Sequence, residues 1–264
     1  MRSKSHSFGF VVLLLLVIVP LLIPVIFSFS ESWQGLLPQG FTLRWYQTIV
    51  SRPQNFSALG VSLITATCAV ALDLAITVPA AYAVNRLSGG VGVNLRRAAL
   101  LLPLVFPPVV LGNALVQSFS KPPFAFSGSV FMVVVAHAVI GFPFMFRYVL
   151  AALATADERT LSEAAATLGA TLGQRLRYIV IPSVSTGIRS GALSVFAISI
   201  GEFEVTSMVA GFSSQTLPLV LFQSMRNDMR VGSAISAFLV LVALGCFALM
   251  MLINGRSRRA SAGM

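Results

Sequence analysis

Long apolar blocks, separated by short polar segments, run along nearly the whole chain. These blocks cover about residues 8–29, 57–85, 98–118, 129–153, 183–209 and 231–254. An α-helix needs about 20 mainly apolar residues to cross the hydrocarbon core of a bilayer. The pattern therefore predicts an all-α membrane protein in which six helices form one transmembrane domain over residues 1–264.

Composition supports this interpretation. The chain is 56% hydrophobic and only 10% charged, whereas soluble domains carry roughly a quarter of their residues as charged ones. The formal charge of +10 would suggest nucleic acid as the partner of a soluble domain. Here we attribute it to the excess of basic residues on the cytoplasmic side of membrane proteins, and we expect membrane lipid rather than nucleic acid around the chain.

The basic residues also predict the orientation. If both termini are cytoplasmic, thirteen of the eighteen Lys and Arg residues fall at or near the inner side. The five that lie outside are Arg44, Arg52, Lys121, Arg226 and Arg230. This asymmetry favours a multi-pass protein with both termini in the cytoplasm.

Four residues within the predicted spans are candidates for lining a solute pathway. Ionisable groups inside a membrane are functional candidates, because they are costly to insert. Asp73 lies in the middle of the second span, and Glu202, Phe203 and Glu204 lie in the outer half of the fifth. A protonated or hydrogen-bonded Asp73 inside the bundle is the alternative to a direct role in transport. Two carboxylates two residues apart on a regular helix point about 200° apart, so either the helix is irregular there or the two face different surroundings.

Sequence motifs for catalysis and metal binding are missing. The chain has no Gly-x-x-x-x-Gly-Lys-Ser/Thr phosphate loop, no Ser-His-Asp arrangement and no His/Cys cluster with metal-ligand spacing. We interpret His137, which stands alone, as an interhelical hydrogen-bonding residue rather than a metal ligand. The sequence therefore predicts a non-catalytic protein that binds no metal and no cofactor.

The longest polar interruption, residues 154–182, predicts a short amphipathic helix between the fourth and fifth spans. The sequence Thr160-Leu-Ser-Glu163 fits a capping box at the start of a helix, and the following alanines favour helix. Gly169 then predicts the end of that helix, and Pro182 suits the first turn of the next one.

This segment resembles the EAA loop of the permease subunits of binding-protein-dependent ABC importers. The resemblance rests on Glu163-Ala164-Ala165, on Gly169 six positions after the glutamate and on Ile181-Pro182, and the family resemblance covers about residues 40–254. It implies the six-helix bundle of a type I importer permease with a cytoplasmic coupling helix that inserts into the ATPase. The residues implied to couple the chain to the ATPase are Glu163, Ala164, Ala165, Leu168, Gly169, Ala170 and Pro182.

The resemblance also implies partners. A second permease, homologous but distinct, is expected to complete the pathway, with a homodimer as the alternative. Two ABC ATPase subunits, which carry ATP and Mg²⁺, dock below in the bacterial inner membrane complex. An extracytoplasmic solute-binding protein delivers the solute.

Within that family the chain is most similar to the spermidine/putrescine branch. The similarity rests on Phe41-Thr-Leu-Arg-Trp-Tyr46 and Thr216-Leu-Pro-Leu219. Where polyamine permeases carry paired aspartates, this chain has Gly201-Glu202-Phe203-Glu204. The Gly-Glu-Phe part is similar to permeases for ferric iron, aminophosphonates and other oxyanions. We expect a small polar solute, a polyamine or similar, with those importers as the alternative. A proton-coupled secondary transporter is the alternative from another class.

Overall fold

The structure is a computed structural model that describes residues 15–262 except 17, 21, 33–36, 87–97, 99 and 157. In the last helix, the side chains of residues 249, 250 and 252–262 are outside this description. The chain is mostly helical and divides into two packed units. The first comprises Met1–Leu59 and Leu217–Gly245, and the second comprises Gly60–Thr216 and Cys246–Met264.

The first unit packs around Trp45. Its elements are helix α1 (Ile18–Ser28), the antiparallel strands β1 (Ser30–Ser32) and β2 (Gln39–Phe41), α2 (Arg44–Val50), the start of α3 (Pro53–Asn85), α11 (Leu217–Asn227) and the first half of α12 (Met229–Ala262). The Trp45 indole donates a hydrogen bond to the Ser30 carbonyl at 2.8 Å. The guanidinium groups of Arg44 and Arg230 each lie 4.6 Å from the centroid of its ring. Trp45 is therefore a buried anchor of this unit.

Asp228 caps the start of α12. Its carboxylate accepts hydrogen bonds from the Arg230 backbone N–H at 2.9 Å and from the Arg230 side chain at 3.1 and 3.2 Å. The Arg230 side-chain hydrogen bond lowers the pKa of Asp228 below its ordinary value of 3.8. Because folding lowers this pKa, the charged cap stabilises the folded state at pH values above 3.8. This stabilisation is lost as the pH falls through the lowered pKa.

We expect Asp228→Ala to destabilise the start of α12 by about 1 kcal/mol, the usual effect of losing an N-cap. The measurement is amide hydrogen exchange at Val231 and Gly232 in detergent, with Asp228→Asn, which retains capping ability, as the control. Equal exchange rates in the alanine variant and the wild type near neutral pH would contradict the capping role.

The second unit carries the residues predicted to be functional. After the rest of α3 it contains a 3₁₀ turn (Leu102–Leu104), α4 (Pro108–Phe119), α5 (Val130–Thr155), α6 (Glu158–Thr167), α7 (Leu172–Arg175), a π-helical turn (Leu176–Val180), α8 (Ile181–Ser183), α9 (Ser185–Gly201), α10 (Glu204–Val209) and a second 3₁₀ turn (Phe212–Ser214). Its main core lies between α3, α5 and α9. At Gly187 in α9 a Cβ atom would lie 2.6 Å from the Tyr148 carbonyl oxygen of α5, so the glycine permits this close approach.

Three helices among the described residues are long and apolar enough to cross a membrane. These are Pro53–Asn85, Val130–Thr155 and Met229–Ala248, which correspond to the predicted second, fourth and sixth spans. Leu172–Ser183 and Ser185–Gly201, bent by 76°, give a fourth if the pair forms one span.

The other predicted spans are interrupted or only partly described. The third is broken at residues 105–107, where Pro107 and Pro108 interrupt backbone hydrogen bonding, and its α4 has 12 residues. Residues 8–14 of the predicted first span lie outside the described residues, as do Asp157 and the loop arginines Arg96 and Arg97. Six crossings therefore remain a prediction.

Candidate functional site

The predicted coupling segment is a helix closed by a glycine turn. Helix α6 ends at Thr167, and Gly169 has a φ of +83°. The Gly169 N–H donates to the Ala166 carbonyl and the Ala170 N–H to the Ala165 carbonyl, both at 3.0 Å. This pair of hydrogen bonds is the Schellman motif, in which glycine takes the left-handed position that side chains disfavour. The predicted helix end at Gly169 is confirmed.

The segment presents an apolar surface without partners among the described residues. Leu168, at the turn, is 88% exposed, and Leu161 and Leu172 are also exposed. Beside the turn lies an open groove of about 440 Å³, whose lining includes Ala165, Leu168, Gly169, Ala170 and Tyr178. Exposed apolar residues grouped in this way are typical of a docking surface.

The start of the segment differs from the prediction. Helix α6 begins by Glu158, which places Thr160 inside the first turn and excludes the predicted capping box at Thr160 and Glu163. A capping box does exist one helix later, where Thr171 and Gln174 exchange hydrogen bonds of 3.3 and 2.8 Å at the start of α7. The Thr160–Glu163 and Thr171–Gln174 segments both fit the capping-box sequence. Only the position at which each helix starts shows which segment forms the box. Pro182 lies in the first turn of α8, as predicted.

Arg86, which follows the last residue of α3, holds α6 in place. Its guanidinium contacts the Glu158 carboxylate at 2.8 Å and the Glu163 carboxylate at 3.2 Å. The Glu158 side chain is fully buried. The sequence motif includes Glu163 but does not indicate that Arg86 pairs with Glu158, because these two residues are 72 positions apart.

Glu202 faces inward at a break in the fifth predicted span. Helix α9 ends at Gly201 and α10 starts at Glu204. The Glu202 carboxylate accepts hydrogen bonds from the backbone N–H groups of Val205 and Thr206 at 3.0 and 3.1 Å, and from the Thr206 hydroxyl at 3.0 Å. Its side chain is only 9% exposed. Glu202 therefore caps α10 and has little surface left for a solute.

His137 joins this network from α5. Its Nε2 lies 2.7 Å from the Thr206 hydroxyl and its Nδ1 lies 2.7 Å from the Ser199 hydroxyl. Because the single Thr206 hydroxyl hydrogen points to Glu202, Nε2 carries the hydrogen in this contact and Nδ1 accepts from Ser199. The predicted interhelical hydrogen bond is confirmed, and it connects α5 to both halves of the broken span.

Glu204 and Phe203 are placed differently from Glu202. Glu204 is the first residue of α10 and is exposed, whereas Phe203 is half-buried at the break. Because the helix is broken between Gly201 and Glu204, the two glutamates do not have the 200° separation of a regular helix. Glu202 is internal, and Glu204 is exposed.

Asp73 is buried apart from this network. Only 1% of the residue is exposed, and its Oδ2 has no hydrogen-bond partner among the described residues. A Cβ atom at Gly141 would lie 2.5 Å from Oδ2, so the carboxyl group fits against α5 only because residue 141 is glycine. Asp73 also borders an apolar cavity of about 240 Å³ with Pro103 and Phe142. This buried position agrees with the alternative of a place inside the bundle.

Apart from Asp73, which lies against Gly141, the candidate residues form two regions at opposite ends of α5. The coupling segment follows the C-terminal end of α5, and Glu202 to Glu204 lie near its N-terminal half, next to His137. Helix α5 has 26 residues and a length of about 39 Å at 1.5 Å per residue. The structure therefore carries an exposed apolar segment at one end of α5 and an exposed carboxylate toward the other.

Similar proteins are transport permeases with different solutes. The 2-aminoethylphosphonate transport system permease protein PhnV of Salmonella typhimurium is 29% identical over 92% of this chain and 91% of its own length. The putrescine transport system permease protein PotI of Escherichia coli K12 is 30% identical over 86% and 82%. The molybdenum transport system permease protein ModB of Mycobacterium tuberculosis is 31% identical over 75% and 79%.

A solved structure shares the fold. It is a bacterial alginate ABC transporter in complex with an alginate pentasaccharide-bound periplasmic protein, and one of its chains aligns with a TM-score of 0.71 and 16% identity over 98% of this chain and 97% of that chain. The sequence family described as binding-protein-dependent transport system inner membrane component matches residues 77–260. The chain therefore belongs to this family and is a permease of an ABC importer.

Proposed function

We propose that this permease forms half of the translocation pathway of an importer whose ATPase binds the α6–Gly169 segment from the cytoplasm. The exposed apolar surface around Leu168 carries this proposal, because a side chain that is 88% exposed gains stability only when a partner covers it. Covering one leucine contributes about 1.5–3 kcal/mol. The rigid Schellman turn holds this side chain in place before the partner arrives.

A second permease, a homologous but distinct chain, completes the pathway, and two ATPase subunits with their ATP and Mg²⁺ dock below. An extracytoplasmic binding protein supplies the solute at the other face, a proposal supported by the periplasmic protein in the alginate transporter complex. ATP-driven movement of α6 changes the packing of the membrane helices, and the solute passes between the two permeases. Both termini are cytoplasmic in this arrangement, in agreement with the basic residues.

The solute we propose is a polyamine such as putrescine or spermidine. Exposed Glu204 supports this class, because a carboxylate in a membrane pathway attracts an ammonium group. The putrescine permease named above is a relative with 30% identity. An aminophosphonate is the second candidate, since the PhnV relatives are named for 2-aminoethylphosphonate, which also carries an ammonium group.

Leu168→Asp tests the docking of the ATPase. We expect it to weaken co-purification of the cognate ATPase with the permease at least tenfold, because it removes apolar contact and places a charge in the interface. Phe212→Asp is the matched control: Phe212 is 92% exposed but lies next to Gly211, which bonds to Gly128 just before α5. Equal retention of the ATPase by wild type and Leu168→Asp would contradict the proposal.

A further inference from the structure

We propose that Arg86 is the positioning residue that fastens the coupling helix α6 to the end of α3, so that the two helices move as one body. This inference rests on the proposed function, because it concerns how movement imposed on α6 reaches the membrane helices. It identifies Arg86, Glu158, Tyr82 and Ser162 as parts of the coupling device.

The first fastening is an ion pair shielded from water. The Arg86 side chain is 22% exposed and the Glu158 side chain is fully buried, with a nitrogen–oxygen distance of 2.8 Å. Removing one partner of a buried pair leaves the other charge uncompensated. Arginine suits this place because its guanidinium stays charged and can reach two carboxylates at once, here those of Glu158 and the more exposed Glu163.

The second fastening lies one helical turn away on both helices. The Tyr82 hydroxyl lies 3.1 Å from the Ser162 hydroxyl, four residues before Arg86 in α3 and four residues after Glu158 in α6. The Arg86 guanidinium also lies 5.0 Å from the centroid of the Tyr82 ring. Because two successive turns of α3 are attached to two successive turns of α6, neither helix can pivot about a single contact.

The Arg86 contacts join α6 to α3, to which it is not adjacent along the chain. Along the chain α6 is joined only to α5 and α7, whereas Arg86 joins it to a helix more than 70 residues earlier. Helix α3 runs without interruption from Pro53 to Asn85 and carries Asp73 about 20 Å from Arg86 at 1.5 Å per residue. Movement of α6 is therefore passed directly to a helix in the core of the unit.

The test uses the complete importer in liposomes, with its ATPase, second permease and solute-binding protein. We expect Arg86→Gln to retain the ATPase and to hydrolyse ATP, while the number of solute molecules imported per ATP falls at least fivefold. Arg86→Lys, which keeps the charge, should recover part of this ratio. The matched control is Arg189→Gln: the Arg189 side chain donates to the Ser185 carbonyl and forms no hydrogen bond or ion pair with α6 among the described residues. An unchanged ratio in Arg86→Gln would overturn the proposal.

A cross-link tests the same proposal without altering Arg86. Tyr82→Cys and Ser162→Cys, in a background with Cys68→Ala and Cys246→Ala, are joined by a short bis-maleimide. If the helices move as one body, the cross-linked importer transports as much solute per ATP as the same variant before cross-linking. Transport blocked by the cross-link would show that α3 and α6 separate in each cycle and would overturn the proposal. A wild-type complex that imports solute without ATP would instead contradict the proposed function.

Discussion

Gly169→Val is expected to reduce solute uptake more than tenfold while the membrane domain stays folded. A left-handed conformation costs a residue with a Cβ about 1–2 kcal/mol, and β-branched residues tolerate it least. Apart from its chain neighbours, no atom of the described residues lies within 4 Å of the position that a Cβ would occupy at Gly169, so the effect acts through the backbone and not through a collision. Without the turn, the hydrogen bonds to Ala165 and Ala166 are lost and Leu168 leaves its docking position. The measurement is ATP-dependent uptake into liposomes.

The matched control for Gly169→Val is Gly173→Val. Gly173 also has open space where a Cβ atom would lie, but it belongs to α7 and is not among the described glycines with positive φ. The same substitution should therefore leave uptake close to that of the wild type. Equal loss of uptake in both variants would contradict a specific requirement for the left-handed turn at Gly169 in solute uptake.

Glu204→Gln is expected to lower polyamine uptake at least tenfold with no loss of thermal stability. A hydrogen bond to a charged group contributes about 1.5–3 kcal/mol, which corresponds to a roughly tenfold to hundredfold change in affinity. Because Glu204 is exposed at the start of α10, its replacement disturbs no internal contact seen in the described residues. The measurement is the concentration dependence of uptake, together with the melting temperature of the purified protein.

Glu202→Gln serves as the control for Glu204→Gln. We expect it to lower the melting temperature and to leave polyamine uptake close to that of the wild type. The amide loses one acceptor where Glu202 receives three hydrogen bonds, so we expect a lower melting temperature. Unchanged polyamine uptake in Glu204→Gln would contradict contact between Glu204 and a cationic solute. A wild-type importer that takes up no polyamine would contradict the proposed solute class and favour an oxyanion.

The parts of the fold that depend on local sequence could be predicted. The apolar run of α5 and the prolines that interrupt the third predicted span both act within a few residues. The same holds for Gly169, because a Schellman turn needs only a helix and the glycine that ends it. These features follow from periodicity, backbone hydrogen bonding and steric limits, which are properties of a short segment.

The partners in contacts between distant segments could not be predicted, although His137 was expected to form a hydrogen bond to another helix. Glu202 and Glu204 have the same chemistry, and only the break between α9 and α10, with His137 and Thr206 beside it, makes one of them internal. Likewise, nothing near Arg86 in the sequence indicates that Glu158 pairs with it. A buried unpaired carboxylate is unfavourable, but the sequence does not identify which basic residue compensates it.

The most direct test of ATPase docking at Leu168 is the labelling of Leu168→Cys, in a background with Cys68→Ala and Cys246→Ala, by a membrane-impermeant maleimide. We predict labelling in inside-out vesicles stripped of the ATPase, protection when the ATPase is added back, and no labelling from the outside of intact cells. Labelling from the outside, or labelling that the bound ATPase leaves unchanged, would contradict the proposed cytoplasmic docking.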